Sequence, residues 1–229
     1  MKVTSQNPAP GVLPPSALQP GLLDRADLLL SVARAFLPPP ADWSVCDWAQ
    51  PLTDDLAELG AALGLDTRPA VDALAEASAR WAAEAARDDG SADPWLVEYA
   101  RLFLTPPVPV PLNAGVYLEG ALGGSSVQMV RSCYQAAGVE PDENFRDLPD
   151  HVSMQLEFLG RLYERAARGD ADAAGMADEY CREFVDHWAG PLEAACRRAS
   201  AKSSAAEVYA ALVRLVREAV GDRTLEASQ

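Results

Sequence analysis

The sequence predicts an all-α protein, a single-domain helical bundle of roughly seven to nine helices with one long Pro/Gly-rich loop. Three observations carry this reading. From Leu22 onward, apolar residues recur at three- and four-residue steps, the period of a helix face. No run alternates with period two, isoleucine is absent from the 229 residues, and alanine is abundant. Cap and stop signals punctuate the chain at helix-length intervals.

Residues 1–20, with Pro8, Pro10, Pro14 and Pro15, read as a flexible tail, because proline neither extends a helix nor donates to a ladder. Leu22, Ala26, Leu29 or Leu30, Ala33 and Leu37 mark a first helix, stopped by Pro38, Pro39 and Pro40. Thr53 is placed to cap a second, carrying Leu56, Leu59 and Leu63. Thr67 is placed to cap a third, with Val71, Leu74, Ser78 and Trp81 on one face and an end marked by Asp88, Asp89 and Gly90. Asp93 followed by Pro94 is an N-cap with proline at the first helical position. The helix it opens presents Trp95, Tyr99, Leu102 and Phe103.

Residues 104–124 break the pattern. Pro106, Pro107, Pro109 and Pro111 make a stiff extended segment, and Gly115, Gly120, Gly123 and Gly124 follow. A loop of this length inside a compact domain is often functional. Ser125 or Ser126 opens the next helix, which Gly138 ends. Asp150 is placed to cap a strong helix with Val152, Leu156, Leu159 and Tyr163 in one stripe. Another helix runs from about Ala171 to Trp188, where Gly190 and Pro191 interrupt it. Ser204 and Glu207 form a capping box for the last, which Gly221 ends. The organisation expected is a helical domain over 21–222 between tails at 1–20 and 223–229.

Composition excludes several classes. There are 19 Lys and Arg against 34 Asp and Glu, a formal net charge of -15. A nucleic-acid binder needs a basic footprint, and an anionic membrane surface repels an acidic one. No stretch approaches the ~18 apolar residues of a membrane span. The N-terminus reads as no secretory signal, so the cytoplasm is the expected compartment. Cys46, Cys133, Cys181 and Cys196 form no CxxC pair and read as buried structural thiols. There is no phosphate loop, dinucleotide fingerprint, zinc-protease helix or nucleophile elbow. His151 and His187 have no ligand partners at metal spacing, so no metal and no cofactor are expected. Asp150 and His151 are candidates for acid–base work, but adjacent residues on a helix point in different directions. No catalytic residue is assigned.

Two segments stand out. The first is Glu98-Tyr99-Ala100-Arg101-Leu102-Phe103, followed by Pro106, Pro109, Pro111, Tyr117 and Glu119. The second is Leu148-Pro149-Asp150-His151-Val152-Ser153-Met154-Gln155-Leu156-Glu157-Phe158-Leu159. Each alone is a capped helix or a packed corner. Together and in this order they resemble the TorD/DmsD/NarJ family of redox-enzyme maturation chaperones. That family shows Glu-Tyr-x-x-Leu-Phe, a Pro-rich loop ending in Tyr, and a Pro-Asp-His helix start followed by Leu-Glu-Phe. The resemblance spans about residues 22–220, and Phe184-x-x-His187-Trp188-x-x-Pro191 is similar to the family's penultimate helix. Two positions depart from the pattern. Asn113-Ala114-Gly115-Val116 stands where a Ser is usual, and Pro149 adjoins Asp150 where the family's Pro often lies two residues ahead. The Leu-Pro-Asp start leans toward the NarJ branch, the His and the loop prolines toward TorD/DmsD.

The resemblance implies a cytoplasmic chaperone, not an enzyme. Its expected partner is the immature catalytic subunit of a molybdopterin oxidoreductase, bound through an N-terminal leader, often a twin-arginine signal peptide, and held until cofactor insertion. The working form is a monomer or homodimer. A cationic and apolar leader calls for an apolar groove with nearby carboxylates. The resemblance places that region at Tyr117, Glu119, Pro149, Asp150 and His151. Trp95, Tyr99 and Phe103 are either an apolar wall of the groove or simply core. Asp150 is either a plain N-cap or a contact, and His151 a corner residue or a contact. The alternatives are an assembly factor for a non-exported nitrate-reductase-like subunit, a structural adaptor, and a helical enzyme using Asp150 and His151.

Overall fold

A computed structural model describes residues 2–3, 19–40, 42–87, 93–142 and 145–221. The all-α class holds. The helices are α1 (Pro20–Ala35), α2 (Val45–Leu63), α3 (Arg68–Ala85), α4 (Pro94–Phe103), α5 (Gly115–Leu118), α6 (Ser125–Ala136), α7 (Val152–Ala167), α8 (Ala171–Tyr180), α9 (Asp186–Ala199) and α10 (Ser204–Gly221). One minimal pairing departs from helix. β1 (Lys2–Val3) lies antiparallel to β2 (Val139–Glu140), and both are too short to show an alternating pattern in sequence. Among the described residues no helix is long and apolar enough to cross a membrane. The expected tails fall outside the described residues, apart from 2–3 and 19–20, and so does the expected end of the third helix at 88–90.

Within this fold the contacts gather into two compact units, residues 1–33 with 113–188 and residues 34–112 with 189–229. The first is built on α7, where twelve of sixteen residues are buried. A helix buried nearly all round is a central one. It packs on α8, and it approaches α1 closely at Gly160, where an added Cβ would stand 3.0 Å from Leu30 Cγ and 3.2 Å from the Ala26 carbonyl.

In the second unit α2, α3 and α4 each contribute an indole to one cluster. The ring centroids of Trp48 and Trp95 are 4.5 Å apart, with Trp81 at 6.5 and 6.4 Å from them. A second cluster joins Phe36, Tyr99, Phe103 and Tyr209. The hydroxyls of Tyr99 and Tyr209 donate to the carbonyls of Phe36 and Ala35, each at 3.0 Å, so they satisfy acceptors at the end of α1. Glu193, buried on α9, pairs with both Arg197 and Arg217.

Several expected boundaries are corrected. α2 starts at Val45, because Ser44 and Asp47 make a reciprocal capping box upstream of Thr53. The Thr53 hydroxyl instead bonds back to the Ala49 carbonyl. Thr67 does precede α3 but makes no side-chain cap. Its side chain packs where a Cβ on Gly60 would stand, 2.3 Å from Thr67 Cγ2. Gly190 and Pro191 do not interrupt the late helix. A π-helical turn at Cys181–Val185 joins α8 to α9, which carries Pro191 inside it while burying Trp188, Leu192 and Cys196. Cys46 is exposed and Cys133 half-buried, because their helix positions face outward; only Cys181 and Cys196 are buried thiols.

The start of α10 differs most in mechanism. Glu207 does not complete a box with Ser204. Instead the Glu98 carboxylate accepts from the Ser203 and Ser204 hydroxyls, both at 3.1 Å, and from the Ala205 amide at 3.0 Å. The first residue of the Glu-Tyr-x-x-Leu-Phe segment is thus a cap supplied by α4 to α10, on the helix end where a negative charge is favoured. Glu98→Ala is expected to lower stability by about 1–2 kcal/mol, as loss of a cap does. Chemical denaturation should show the midpoint falling with an unchanged slope.

Candidate functional site

The Pro149-Asp150-His151 corner leads into α7. The N-cap is His151, not the expected Asp150: its backbone is extended (φ -60°, ψ 135°), and its Nδ1 accepts from the Ser153 amide at 3.2 Å. The Ser153 hydroxyl lies 2.7 Å from the same nitrogen. An accepting Nδ1 places the neutral ring's proton on Nε2. Burial holds the His151 pKa below its ordinary value, opposed by the charges of Asp147 and Asp150. The ring also meets Phe145, with centroids 5.7 Å apart.

Asp150 turns inward. It has no solvent exposure, and a carboxylate taken out of water must be hydrogen-bonded. Its Oδ2 accepts from the Gly115 amide at 2.8 Å and its Oδ1 from Asn113 Nδ2 at 3.3 Å. Its carbonyl accepts from Gln155 Nε2 at 2.8 Å and from the Ala114 amide at 3.0 Å. The Gln155 Oε1 in turn receives Tyr180 Oη at 2.9 Å and Trp188 Nε1 at 3.1 Å. Gly115 is required at this approach, since a Cβ there would stand 2.9 Å from Asp150 Oδ2 and 2.8 Å from Ser126 Oγ. The Asn113-Ala114-Gly115 departure from the family pattern therefore supplies the groups that hold the buried acid. The Pro149 carbonyl accepts from Tyr134 Oη at 2.8 Å.

The loop residues have structural work as well. Tyr117 is half-buried on α5. Glu119 is exposed, and its carboxylate caps α6 by accepting from the amides and hydroxyls of both Ser125 and Ser126. The hydrogen bonds from Ser126, then Ser125, push its pKa down to about 2. Trp95, Tyr99 and Phe103 are core of the second unit, with Trp95 fully buried, and do not form a groove wall. The four-residue spacing that suggested a wall is the spacing of a buried helix face.

The first unit does bring part of the expected region to an open surface. A cleft of about 320 Å³ is lined by Pro149 and Met154 of the corner, Tyr134, Gln135 and Arg131 of α6, Val139 and Glu140 of β2, and Pro141, Phe145 and Asp147. Glu140 and Asp147 are exposed carboxylates, set with the exposed Arg131 and Gln135 on a lining that is otherwise largely apolar. Asp147 Oδ1 accepts from Asn113 Nδ2 at 3.0 Å and from the Leu148 amide at 2.6 Å, so it is also fixed to the corner. Sequence reasoning missed Glu140, Phe145 and Asp147. The signal within reach was Asp147, one residue ahead of the Leu-Pro-Asp-His run. Among the described residues no group of three or more His, Cys, Asp or Glu is placed to hold a metal ion.

Comparison with known proteins gives likenesses of two kinds, to a family and to solved structures. The family model of the nitrate reductase delta subunit matches residues 62–194. No curated protein matches significantly. Among solved structures, a candidate redox enzyme maturation protein from Archaeoglobus fulgidus is similar at 20% identity and a TM-score of 0.49, over 87% of this chain and 94% of that one.

Two outcomes follow from the corner's geometry. Asp150→Ala leaves the buried Gly115 amide without its acceptor, and is expected to destabilise the fold by about 2–4 kcal/mol in urea unfolding. For His151 the folded pKa lies below the unfolded one, so the unfolded chain takes up the proton first. Its stabilising effect is complete above the unfolded value of about 6.5 and declines as pH falls below it. His151→Asn keeps a capping acceptor but cannot titrate, so the melting temperature of this variant should fall less steeply than that of the unaltered protein as pH drops below 6.5.

Proposed function

The chain belongs to the nitrate reductase delta subunit family, and on that premise we propose that it is a cytoplasmic maturation chaperone for a redox enzyme, holding the immature catalytic subunit of a molybdopterin oxidoreductase by its N-terminal leader. The observation that carries the reading is the cleft beside the Pro149-Asp150-His151 corner. Its Pro141, Phe145, Pro149 and Met154 offer apolar surface, and Glu140 and Asp147 offer negative charge, which together suit a peptide with basic and apolar segments. The net charge of -15 favours encounter with such a peptide.

The reading assigns recognition, not catalysis. Asp150 is buried with both carboxylate oxygens engaged, and His151 Nδ1 is engaged as the helix cap, which argues against an acid–base pair. One second reading has an observation in its favour. The matching family model is that of the nitrate reductase delta subunit, which favours a nitrate-reductase-like client; in this reading the client is not exported.

The test is a gentle pull-down of the tagged protein from its own cells, with mass spectrometry of what stays bound. A molybdoenzyme catalytic subunit with its leader attached supports the first reading, and one without any leader supports the second. Glu140→Lys should leave the fold intact and reduce client recovery about tenfold, with a weaker salt dependence of association. No bound oxidoreductase subunit, from cells that make one, overturns both readings.

A further inference from the structure

One wall of the cleft is a strand. β2 is two residues long, and both Val139 and Glu140 line the cleft. The same strand is paired by the chain itself along one edge. Lys2–Val3 pairs antiparallel to it, with Lys2 opposite Glu140 and Val3 opposite Val139. A strand edge is a template for any extended chain, and a two-residue ladder is well below the length that is stable alone.

The register also states which chemistry fits. Along β2 an exposed carboxylate, Glu140, follows a buried valine, Val139, so an antiparallel partner would meet the carboxylate first and the valine next. Cross-strand pairs of opposite charge, and of two apolar residues, are the favoured ones. A leader that runs from basic to apolar residues in chain order presents the complementary pattern to that strand. It can also place side chains against Pro141, Phe145 and Met154 of the cleft.

We infer that the β2 edge is a strand-addition site for the client's leader, and that residues 2–3 occupy it until a client displaces them. The inference rests on the reading that a leader binds this cleft. Its consequence is competition: the fraction of molecules with an open edge scales the apparent affinity for the leader. Weakening β1 therefore tightens client binding, an effect opposite to that of damaging a binding surface.

The test uses the full chain and, as probe, a synthetic peptide with an Arg-Arg pair followed by a run of Leu and Ala. Val3→Pro removes a backbone donor from β1 and disfavours the ladder. The variant is expected to bind the probe roughly three- to tenfold more tightly than the unaltered protein. In the unaltered protein, nuclear Overhauser contacts between residues 2–3 and 139–140 should disappear as the probe is added. Equal or weaker binding by the variant, or contacts that persist at saturation, overturns the inference while leaving leader binding standing. A probe that binds neither protein overturns the inference and the leader reading together.

Discussion

The burial of Asp150 is the constraint on which the first unit depends. A carboxylate with no solvent exposure is tolerable only where donors converge on it. Here the donors come from the Gly115 backbone and from Asn113, two positions of one loop, so the loop must return to the base of α7. The Asp150 carbonyl extends the same demand to Ala114 and Gln155, and Gln155 passes it to Tyr180 and Trp188. One buried acid thereby fixes the loop after the prolines, the start of α7, the end of α8 and the first turn of α9. Such a network is rigid when satisfied and damaging when broken.

This accounts for the form of the two segments that stand out in the sequence. Four of their polar residues have structural work. Glu98 caps α10, Glu119 caps α6, His151 caps α7 and Asp150 anchors the loop, each satisfying backbone donors that a helix end or a turn leaves exposed. The side chains that open to solvent at the cleft, Glu140, Phe145 and Asp147, lie between the two segments or at their margin. A rigid frame with recognition groups on the adjoining loop is how binding surfaces are commonly built.

What was legible in the sequence follows the same division. Helix faces were legible, because burial imposes a period of three to four, and Val152, Leu156, Leu159 and Tyr163 are all buried where that period puts them. The Asp93 cap was legible because its donor, the Trp95 amide, is local. Caps that come from elsewhere in the chain were not. Nothing near Ser204 reveals that Glu98, more than a hundred residues away, supplies the acceptor. At Asp150 the local rule gave a plausible cap, yet a tertiary demand from Gly115 claimed the carboxylate and left the capping to His151. The motif singled out the corner but not the bonds made there, because a motif records where a residue is needed and not which of its possible bonds it makes. β2 was out of reach for another reason: two residues are too few to carry a period.

A chaperone must also let go, and the contrast between the frame and the cleft bears on that. Tight retention would come from a deep, enclosed pocket that desolvates charged pairs. The cleft instead sets two exposed carboxylates and one exposed arginine, Arg131, around modest apolar surface, with the acid of Asp150 buried. Exposed charges chiefly raise the rate of encounter with a basic segment, while the small apolar area limits how long it stays. On the proposed reading, such a surface would meet a basic leader quickly and hold it by contacts weak enough to exchange. Placing Asp150 inside the fold serves the same end, since a fully desolvated arginine–aspartate pair would make release slow.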